Sequence, residues 1–341
     1  MIIILNNSKA AQIKQLLNTH FGGKTDIFTH GNRIALNKVT PDQLTDDEKA
    51  GIADIIMDHP GAVQSSRALH PEDTIIKLPH TQIGGYGNFV MMAGPCSVES
   101  EAHVSAMAKV AKDGGATVLR GGAFKPRTSP YSFQGLGVAG LKYLREAADK
   151  QNMDMITEVM DEEHLEVVCQ YADMIQIGAR NMQNFSLLKA VGKTRKPVLL
   201  KRGMSATIDD LLNAAEYIAA GGNTQIALSE RGVRTFDDKY TRNTFDVSAV
   251  PVLKKLTHYP IIADPSHAEG HWDLVTPMAL AATASGSDGI VVEIHDNPEK
   301  ALSDGPQALK PKTYKKMTSE VFALHDMLNS FNQQEGAVVN G

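Results

Sequence analysis

Side chains that could bind a metal ion follow several short apolar runs in this sequence. Cys96 comes after "FVMMAGP", His267 after "PIIADPS", and Glu293 closes "GIVVE", with Asp304 a little further on. Thiolate, imidazole and carboxylate together suit a divalent first-row transition metal and make magnesium or calcium a poor first choice. These residue types predict one divalent metal ion and do not separate manganese, iron, cobalt and zinc.

Cations form a second set at similar positions. The stretch "LRGGAFKPRTSPYSFQGLG" (119–137) places Arg120, Lys125 and Arg127 among residues whose prolines keep the chain out of helical geometry. Other apolar runs are followed by Arg180, Lys201 with Arg202, and Glu230 with Arg231. Taken singly, each of these residues has an ordinary structural explanation. If these cations are buried close together, however, their like charges repel, so the set implies an anion that binds among them.

Composition narrows the functional classes. The chain has 341 residues and a net charge of −5, which argues against a general nucleic-acid or membrane-surface role. No apolar stretch reaches the length of a transmembrane helix. Two cysteines do not make a disulfide framework, and "MIIIL" at the start predicts a strand instead of a signal peptide. We therefore predict a cytoplasmic protein without nucleic-acid or membrane partners.

The elements that must position these residues form a repeating pattern in residues 88–331. Eight apolar runs alternate with helical stretches such as "EAHVSAMAKVAKDGG", which ends in a Gly-Gly stop. This alternation is typical of a parallel sheet covered on both faces, and eight units match the size of a (β/α)8 TIM barrel. An open, doubly wound sheet is the alternative. In a closed barrel, the carboxyl ends of the strands would bring the polar residues together.

Residues 1–66 predict a separate small α+β domain. The pattern is β-α-β-β-α-β, with a hairpin around "HGN", a second helix within residues 40–61 and a last strand at "AVQSS" (62–66). This order is that of a ferredoxin-like domain. Residues 67–87 are interpreted as a linker and barrel entrance, and residues 332–341 as a mobile tail.

Two features are excluded from the site. "HAEGH" (267–271) has its glutamate in the third position, so it does not match the H-E-x-x-H metalloprotease pattern, and His271 is predicted to be a structural residue at a helix start. Cys169 lies at an apolar helical position and is predicted to belong to the core.

With these strand ends assembled, the sequence resembles the 3-deoxy-D-arabino-heptulosonate 7-phosphate (DAHP) synthases, in particular the subfamily with a ferredoxin-like regulatory domain. The motifs that carry the resemblance occur in family order over about residues 88–310: "AGPCSVES", "LRGGAFKPRTSPYSFQGLG", "IGARN", "LLKRGMSAT", "SERGVRTF", "IIADPSHAEGH", "VVEIH" and "LSDGPQ". The resemblance implies the condensation of phosphoenolpyruvate with erythrose 4-phosphate, the first step of the shikimate pathway to chorismate and the aromatic amino acids.

The resemblance also implies roles for individual residues. The metal ligands would be Cys96, His267, Glu293 and Asp304. Phosphoenolpyruvate would be bound by Arg120, Lys125, Arg180, Lys201, Glu230 and Arg231. Erythrose 4-phosphate would be bound by Lys125, Pro126, Arg127, Thr128 and Asp304. Lys125, Cys96 and His267 are the candidate catalytic residues. Our own hypothesis, beyond the resemblance, is that Lys125, between the two substrates, is the general acid for the nascent alkoxide.

Three alternatives remain open at this point. A sister enzyme makes 3-deoxy-manno-octulosonate 8-phosphate from arabinose 5-phosphate on the same barrel, usually with "KANR" where this chain has "KPRT". A metal-dependent class II aldolase or lyase would need only one phosphate site, and a non-catalytic sensor of sugar phosphates would need no metal ligands.

The N-terminal domain has two interpretations. It is either an oligomerisation or packing module, or a feedback domain for an aromatic amino acid or prephenate. A homo-oligomer is expected, with a tetramer favoured because tetramers are common in the family.

Overall fold

The computed structural model describes residues 1–59, 61–125 and 129–339, with side chains described as far as residue 331. The N-terminal region is built on a four-stranded antiparallel sheet in the order β2-β3-β1-β4. Its strands are β1 (Ile2–Leu5), β2 (Ile27–His30), β3 (Arg33–Leu36) and β4 (Ile52–Ile56). Its helices are α1 (Ala10–Phe21) and α2 (Asp46–Lys49). This element order and strand order are those of a ferredoxin-like domain, as predicted.

The second half of this small domain differs from the prediction. Helix α2 has only four residues, and the last strand is Ile52–Ile56 instead of 62–66. Helix α2 is followed by Gly51, where a Cβ atom would lie 2.2 Å from Cγ1 of Ile13, so the close approach of α1 requires glycine. The β-branched residues that follow then pair with β1, with Ile2 opposite Ile56. The isoleucines at the end of the stretch that was predicted to be helical therefore belong to a strand.

Eight parallel strands close into a barrel, as the alternation of apolar runs predicted. They are β7 (Val90–Gly94), β8 (Val118–Arg120), β9 (Asp154–Val159), β10 (Met174–Ile177), β11 (Val198–Lys201), β12 (Ile226–Glu230), β13 (Ile261–Ala263) and β14 (Gly289–Glu293). The helices around them are α3 (Glu101–Asp113), α4 (Val138–Lys150), α5 (Leu165–Tyr171), α6 (Phe185–Gly192), α7 (Ile208–Ala220), α8 (Ala249–Leu256), α9 (Pro265–Glu269), α10 (Trp272–Ala284) and α11 (Pro311–Val339). The carboxyl ends of all eight strands therefore face one side of the molecule.

A short hairpin closes the opposite end of the barrel. Strands β5 (Ile76–Lys77) and β6 (Gln82–Ile83) lie in the segment that was interpreted as linker and barrel entrance. The side chains of Ile76 and Ile83 are fully buried among residues near the start of the barrel strands, such as Val118 and Met174. The barrel interior is thus packed and closed at its amino-terminal end, and the polar site must open at the carboxyl end.

Residues 62–74 connect the small domain to the barrel by hydrogen bonds. The backbone N–H groups of Gln64 and Ser65 donate to the Glu216 carboxylate of α7 at 2.9 Å each. Arg67 donates to the carbonyl oxygens of Lys254, in the last turn of α8, and of Thr257, which follows this helix. Residues 62–66 therefore contact the barrel, which explains why they do not extend the N-terminal sheet.

The last helix is longer than the sequence pattern suggested. Helix α11 continues to Val339, so most of the segment 332–341 that was predicted to lack a pattern has helical backbone. Its mobility stays a prediction.

Candidate active site at the carboxyl ends of the strands

A cavity of about 270 Å³ opens at the carboxyl ends of the barrel strands. Seven of its lining residues are lysine or arginine: Arg120, Lys125, Arg180, Lys201, Arg231, Arg234 and Arg242. Its other polar lining residues are Glu158, Gln176, Asn243, His267 and Asp304. The excess of positive charge in one enclosed space makes this cavity a binding site for polyanions.

The four candidate metal ligands lie together at one side of this cavity. The ligand atoms of Cys96, Glu293 and Asp304 all lie within 4.8 Å of one another. Cys96 Sγ is 3.2 Å from Asp304 Oδ2, and His267 Nε2 is 3.3 Å from Glu293 Oε1. Loops from β7, β13 and β14 therefore converge although these residues are far apart in the sequence.

One buried carboxylate oxygen in this cluster makes no hydrogen bond. Oε1 of Glu293 has no hydrogen-bond partner among the described residues, although it lies near Arg120 Nη1 (3.1 Å) and His267 Nε2. A buried acceptor without a hydrogen bond is costly, and a bound cation would compensate it. The donor set of one sulfur, one imidazole and two carboxylates fits a divalent transition metal.

The tautomer of His267 also suits a metal ligand. Its Nδ1 lies 2.8 Å from Asp264 Oδ2, and a carboxylate accepts, so Nδ1 carries the proton. In the neutral ring, Nε2 is then the nitrogen with the lone pair that a metal ion could use, and it lies 3.3 Å from Glu293 Oε1. Asp264 also accepts from the ammonium of Lys201. Although burial raises the pKa of Asp264, His267 and Lys201 hold it well below its usual range.

Cys96 is protonated in the absence of a cation. Burial, followed by the nearby Glu293 carboxylate, raises the pKa of the thiol to about 12, against the opposing effect of Lys125. A metal ion that binds the thiolate must displace this proton, so binding is expected to weaken as the pH falls.

Two cations of the cavity are not neutralised by carboxylates. Arg231 is buried, and its guanidinium donates only to the carbonyl oxygens of Gly232 and His267 in the part of the chain described. Burial lowers its pKa, since the opposing effect of the Asp264 carboxylate does not fully compensate the desolvation and Arg242 lowers the pKa further. Arg180 is exposed at the rim and forms no ion pair with the described residues. Both are placed to bind the charge of a ligand.

Lys125 lies between the cations and the metal-ligand cluster. Its Nζ donates to the Cys96 carbonyl oxygen and lies 3.1 Å from the Cys96 sulfur. Burial disfavours its charged form, but Cys96 and the carboxylates of Glu158 and Glu293 raise its pKa, so the ammonium keeps its proton.

Glu230 does not lie among the residues that line the cavity, and its binding role stays a prediction. Its Oε2 lies 2.8 Å from Arg202 Nη1 and its Oε1 accepts from the Gly232 N–H, so it does not line the cavity. A carboxylate facing an anionic ligand would be repelled, whereas here it neutralises Arg202. The physical consequence is that Arg202 is taken up by an internal pair while Arg231 remains available.

The other predicted residues are placed as follows. Pro126, Arg127 and Thr128 lie outside the described residues. His271 immediately precedes α10, as predicted, and Cys169 is partly buried against the core.

Several lining residues were not identified from the sequence. Glu158 and Gln176 are polar side chains on barrel strands, and Gln176 donates to Glu158 at 3.2 Å. Arg234 lies within the quoted "SERGVRTF" motif and was not singled out. Arg242 and Asn243 come from a loop without periodicity. A polar residue on an otherwise apolar strand was the available signal for Glu158 and Gln176.

The fold and the site together define a (β/α)8 barrel with a cationic cavity beside a candidate metal centre. Comparison with known proteins agrees. The family described as "DAHP synthetase I family" matches residues 70–329.

Among curated proteins, a phospho-2-dehydro-3-deoxyheptonate aldolase of Thermotoga maritima is 56% identical over 77% of this chain and 77% of its own. A 2-dehydro-3-deoxyphosphooctonate aldolase of Koribacter versatilis is 31% identical over 73% of this chain and 95% of its own.

Among solved structures, a Thermotoga maritima DAHP synthase is similar, with a TM-score of 0.77 and 45% identity over 96% of this chain and 97% of its own. A truncated form of a DAHP synthase from the same organism has a TM-score of 0.74 and 51% identity over 79% of this chain and 98% of its own. The chain belongs to the DAHP synthetase I family, and it is an enzyme of DAHP synthesis in aromatic biosynthesis.

Proposed function

We propose that this chain condenses phosphoenolpyruvate with erythrose 4-phosphate and water to give DAHP and phosphate, in a metal-dependent reaction. The observation that carries the proposal is a cavity lined by seven lysine and arginine side chains beside a Cys-His-Glu-Asp cluster. Two phosphates of nearly two negative charges each and one carboxylate bring about five negative charges into this space. Fixed cations offset the repulsion between the two substrates and hold them for attack.

Phosphoenolpyruvate is assigned to a set of cations that extends from the buried Arg231 to Arg180 at the rim. Arg231 is buried without a carboxylate partner, and the nearby Arg120, Lys201 and Arg180 complete a set that can hold its phosphate and carboxylate. Arginine forms bidentate pairs with both groups, and lysine acts as a compact charge. Erythrose 4-phosphate is assigned to the Lys125–Thr128 segment, with Asp304 at the metal end.

Cys96, His267, Glu293 and Asp304 would hold the metal ion. A bound divalent cation would act as a Lewis acid that polarises the aldehyde oxygen of the sugar phosphate. Oε1 of Glu293, which makes no hydrogen bond among the described residues, and Nε2 of His267 beside it support this assignment. The identity of the metal is left open among manganese, iron, cobalt and zinc.

Lys125 is assigned as the residue that donates a proton during the condensation. C3 of phosphoenolpyruvate forms a bond with the aldehyde carbon, and the oxygen that becomes an alkoxide takes a proton from the Lys125 ammonium. Water then adds at C2, and cleavage of the bond between C2 and the phosphate oxygen releases phosphate. The position of Lys125, among the cations and next to Cys96, supports this assignment.

A phosphate-release assay with both substrates tests the proposal. We expect turnover with erythrose 4-phosphate, its loss after treatment with EDTA, and its recovery on addition of one of the four divalent metals. Turnover that is unaffected by exhaustive chelation would refute the metal-dependence. Chelator-sensitive cleavage of a sugar phosphate without phosphate release would instead indicate an aldolase.

A second candidate function deserves a direct comparison because several relatives at about 30% identity are named 2-dehydro-3-deoxyphosphooctonate aldolases. That activity would use arabinose 5-phosphate as the acceptor. The 56% identical relative favours the four-carbon sugar. Assaying both aldoses with the same enzyme preparation decides between them, and turnover with arabinose 5-phosphate alone would overturn our choice.

The N-terminal domain is assigned a feedback role, with tyrosine, phenylalanine or prephenate as the effector. Its support is the separate sheet, with a core of its own, that contacts the barrel through residues 62–74. A homotetramer remains our proposed assembly. The described residues contain no helix that could cross a membrane, and a cytoplasmic location remains a prediction.

A further inference from the structure

Arg242 links two of the proposed metal ligands through a chain of hydrogen bonds. Its Nη2 lies 2.9 Å from Oδ1 of Asp304, and its Nη1 donates to Oε1 of Gln307 at 2.7 Å. Nε2 of Gln307 in turn donates to Oε2 of Glu293 at 2.7 Å. The sequence assigned no role to Arg242 or Gln307.

In each ligand, this chain holds the oxygen that does not face the cluster. Asp304 gives Oδ1 to Arg242 while its Oδ2 lies 3.2 Å from the Cys96 sulfur. Oε2 of Glu293 accepts a hydrogen bond from Gln307, while its Oε1 faces His267 and lacks a hydrogen bond. Both carboxylates follow the same pattern: one oxygen is held by a hydrogen bond or ion pair of this chain, and the other faces the cluster of candidate ligands.

The chain is itself held in place. Gln307 is buried, and its amide can satisfy Arg242 and Glu293 at once only with its oxygen toward the guanidinium and its nitrogen toward the carboxylate. The Arg242 backbone N–H donates to the Glu269 carbonyl oxygen. Asp304 has a φ of 51°, a left-handed conformation that is unfavourable for a non-glycine residue and that the ion pair with Arg242 helps to hold.

We propose that Arg242 and Gln307 are positioning residues that orient Asp304 and Glu293 and thereby set the affinity of the metal site. This inference rests on the proposed metal centre at these residues. Arg242 also lines the substrate cavity, but its guanidinium is occupied by Asp304 and Gln307.

The direction of the effect separates positioning from simple electrostatics. Removing a cation close to a dication favours metal binding if charge alone matters. Loss of a partner that orients a ligand weakens metal binding, typically by 10- to 100-fold. Arg242→Met is therefore expected to bind metal more weakly, whereas a charge effect would make it bind more tightly.

The test is a titration of the metal-free, full-length enzyme with Co²⁺ alone, in competition with a chelator. The readout is the near-ultraviolet charge-transfer absorption between a cysteine thiolate and Co²⁺, which requires no turnover. We expect Arg242→Met and Arg242→Lys to raise the Kd by roughly 10- to 100-fold, since a single ammonium cannot reproduce the two-pronged contact. Gln307→Met, which changes no charge, is expected to raise it in the same direction.

The matched control is Arg234→Met, which removes another cation of the same cavity that makes no side-chain contact with the proposed ligands among the described residues. Its Kd for Co²⁺ should stay the same or fall. In the double variant Arg242→Met/Gln307→Met, the combined increase should be smaller than the product of the single increases, because both act on Glu293 through one chain. Circular dichroism checks that each variant is folded. If Arg242→Met does not fold, Gln307→Met still tests the proposal.

Two failures are distinguishable. If the wild-type enzyme shows the charge-transfer band and Cys96→Ser abolishes it, the metal centre stands; an unchanged or lower Kd in folded Arg242→Met and Gln307→Met would then overturn the positioning role alone. If the wild-type enzyme shows no such band with Co²⁺, the proposed metal centre fails and the positioning role fails with it.

Discussion

At the scale of single residues, Lys125 has the most distinctive surroundings. Its ammonium lies 3.1 Å from the Cys96 sulfur and retains its proton although it is buried. A group that donates its proton in the transition state typically contributes about 10²- to 10⁴-fold to the rate. Lys125→Met should therefore lower kcat by a factor in that range, as measured by phosphate release at saturating substrates. Near-normal kcat in this variant would show that Lys125 is not the general acid.

Arg231 is expected to act mainly through binding. A hydrogen bond to a charged group contributes roughly 1.5–3 kcal/mol, which corresponds to an increase in KM of about 10- to 100-fold when it is lost. We expect this increase for phosphoenolpyruvate in Arg231→Met, measured with initial rates over a range of phosphoenolpyruvate concentrations. Lys239→Met is the control, since Lys239 is exposed and does not line the cavity. An unchanged KM in Arg231→Met would place phosphoenolpyruvate elsewhere.

At the scale of elements, the barrel could be predicted because its strands are largely apolar runs, which fits strands that are buried on both faces. The convergence of the candidate metal ligands could be predicted because they follow such runs. The ion pair of Glu230 could not be foreseen, since it depends on the contact with Arg202, 28 residues away in sequence. Arg242 and Gln307 were missed for the same reason: loops without periodicity meet only in the folded chain.

The extent of the second helix of the small domain could not be predicted for a different reason. Residues 52–56 contain three isoleucines that could lie on the face of a helix or in a strand. Pairing with β1 decides between the two, and this tertiary contact overrides the local pattern.

The hairpin β5–β6 offers a prediction that separates stability from activity. Ile76 is fully buried at the amino-terminal end of the barrel, while its neighbour Ile75 is 47% exposed. Ile76→Ala should lower the free energy of unfolding by about 2–5 kcal/mol through the cavity it leaves. Ile75→Ala should change it little, and kcat at low temperature should be unchanged in both. Equal unfolding curves for the two variants in urea would contradict the assigned packing.

At the scale of the whole molecule, His258 lies where the linker meets the barrel. Its ring Nε2 donates to the Gln64 carbonyl oxygen, and its Nδ1 accepts from the Thr74 hydroxyl, so both contacts require the neutral form. Burial lowers the pKa of His258 from 6.5 to about 4, with further lowering by His70. At pH values between these two pKa values, His258 therefore binds a proton more readily in the unfolded chain than in the folded chain.

The stability contribution of His258 is fully present above about pH 6.5 and is lost as the pH falls toward 4. The loss amounts to at most about 3 kcal/mol on the basis of this pKa difference. Urea unfolding measured from pH 4 to pH 8 should show it, and His258→Asn should flatten the curve over that interval. A wild-type and variant pair with the same pH dependence would rule out His258 as the source.

The same junction determines where the chain can be divided. A shortened chain beginning at Gly61 keeps the hydrogen bonds of Gln64 and Ser65 to Glu216 and those of Arg67 to the barrel, and it removes the N-terminal sheet. Because all of the candidate active-site residues lie at or beyond residue 96, we expect this chain to keep kcat and the KM of both substrates.

The N-terminal domain can regulate the barrel only if an effector binds differently in the active and inhibited states. Titration of the full-length enzyme with tyrosine, phenylalanine and prephenate should therefore identify one inhibitor, with coupling of roughly 5- to 150-fold in affinity. The chain beginning at Gly61 should be active and insensitive to that compound. Inhibition that persists in the shortened chain would place the effector site on the barrel. If the full-length enzyme responds to none of these compounds, a packing or oligomerisation role of the domain is favoured instead. Deletion of the domain should then alter stability or assembly without changing the response to metabolites.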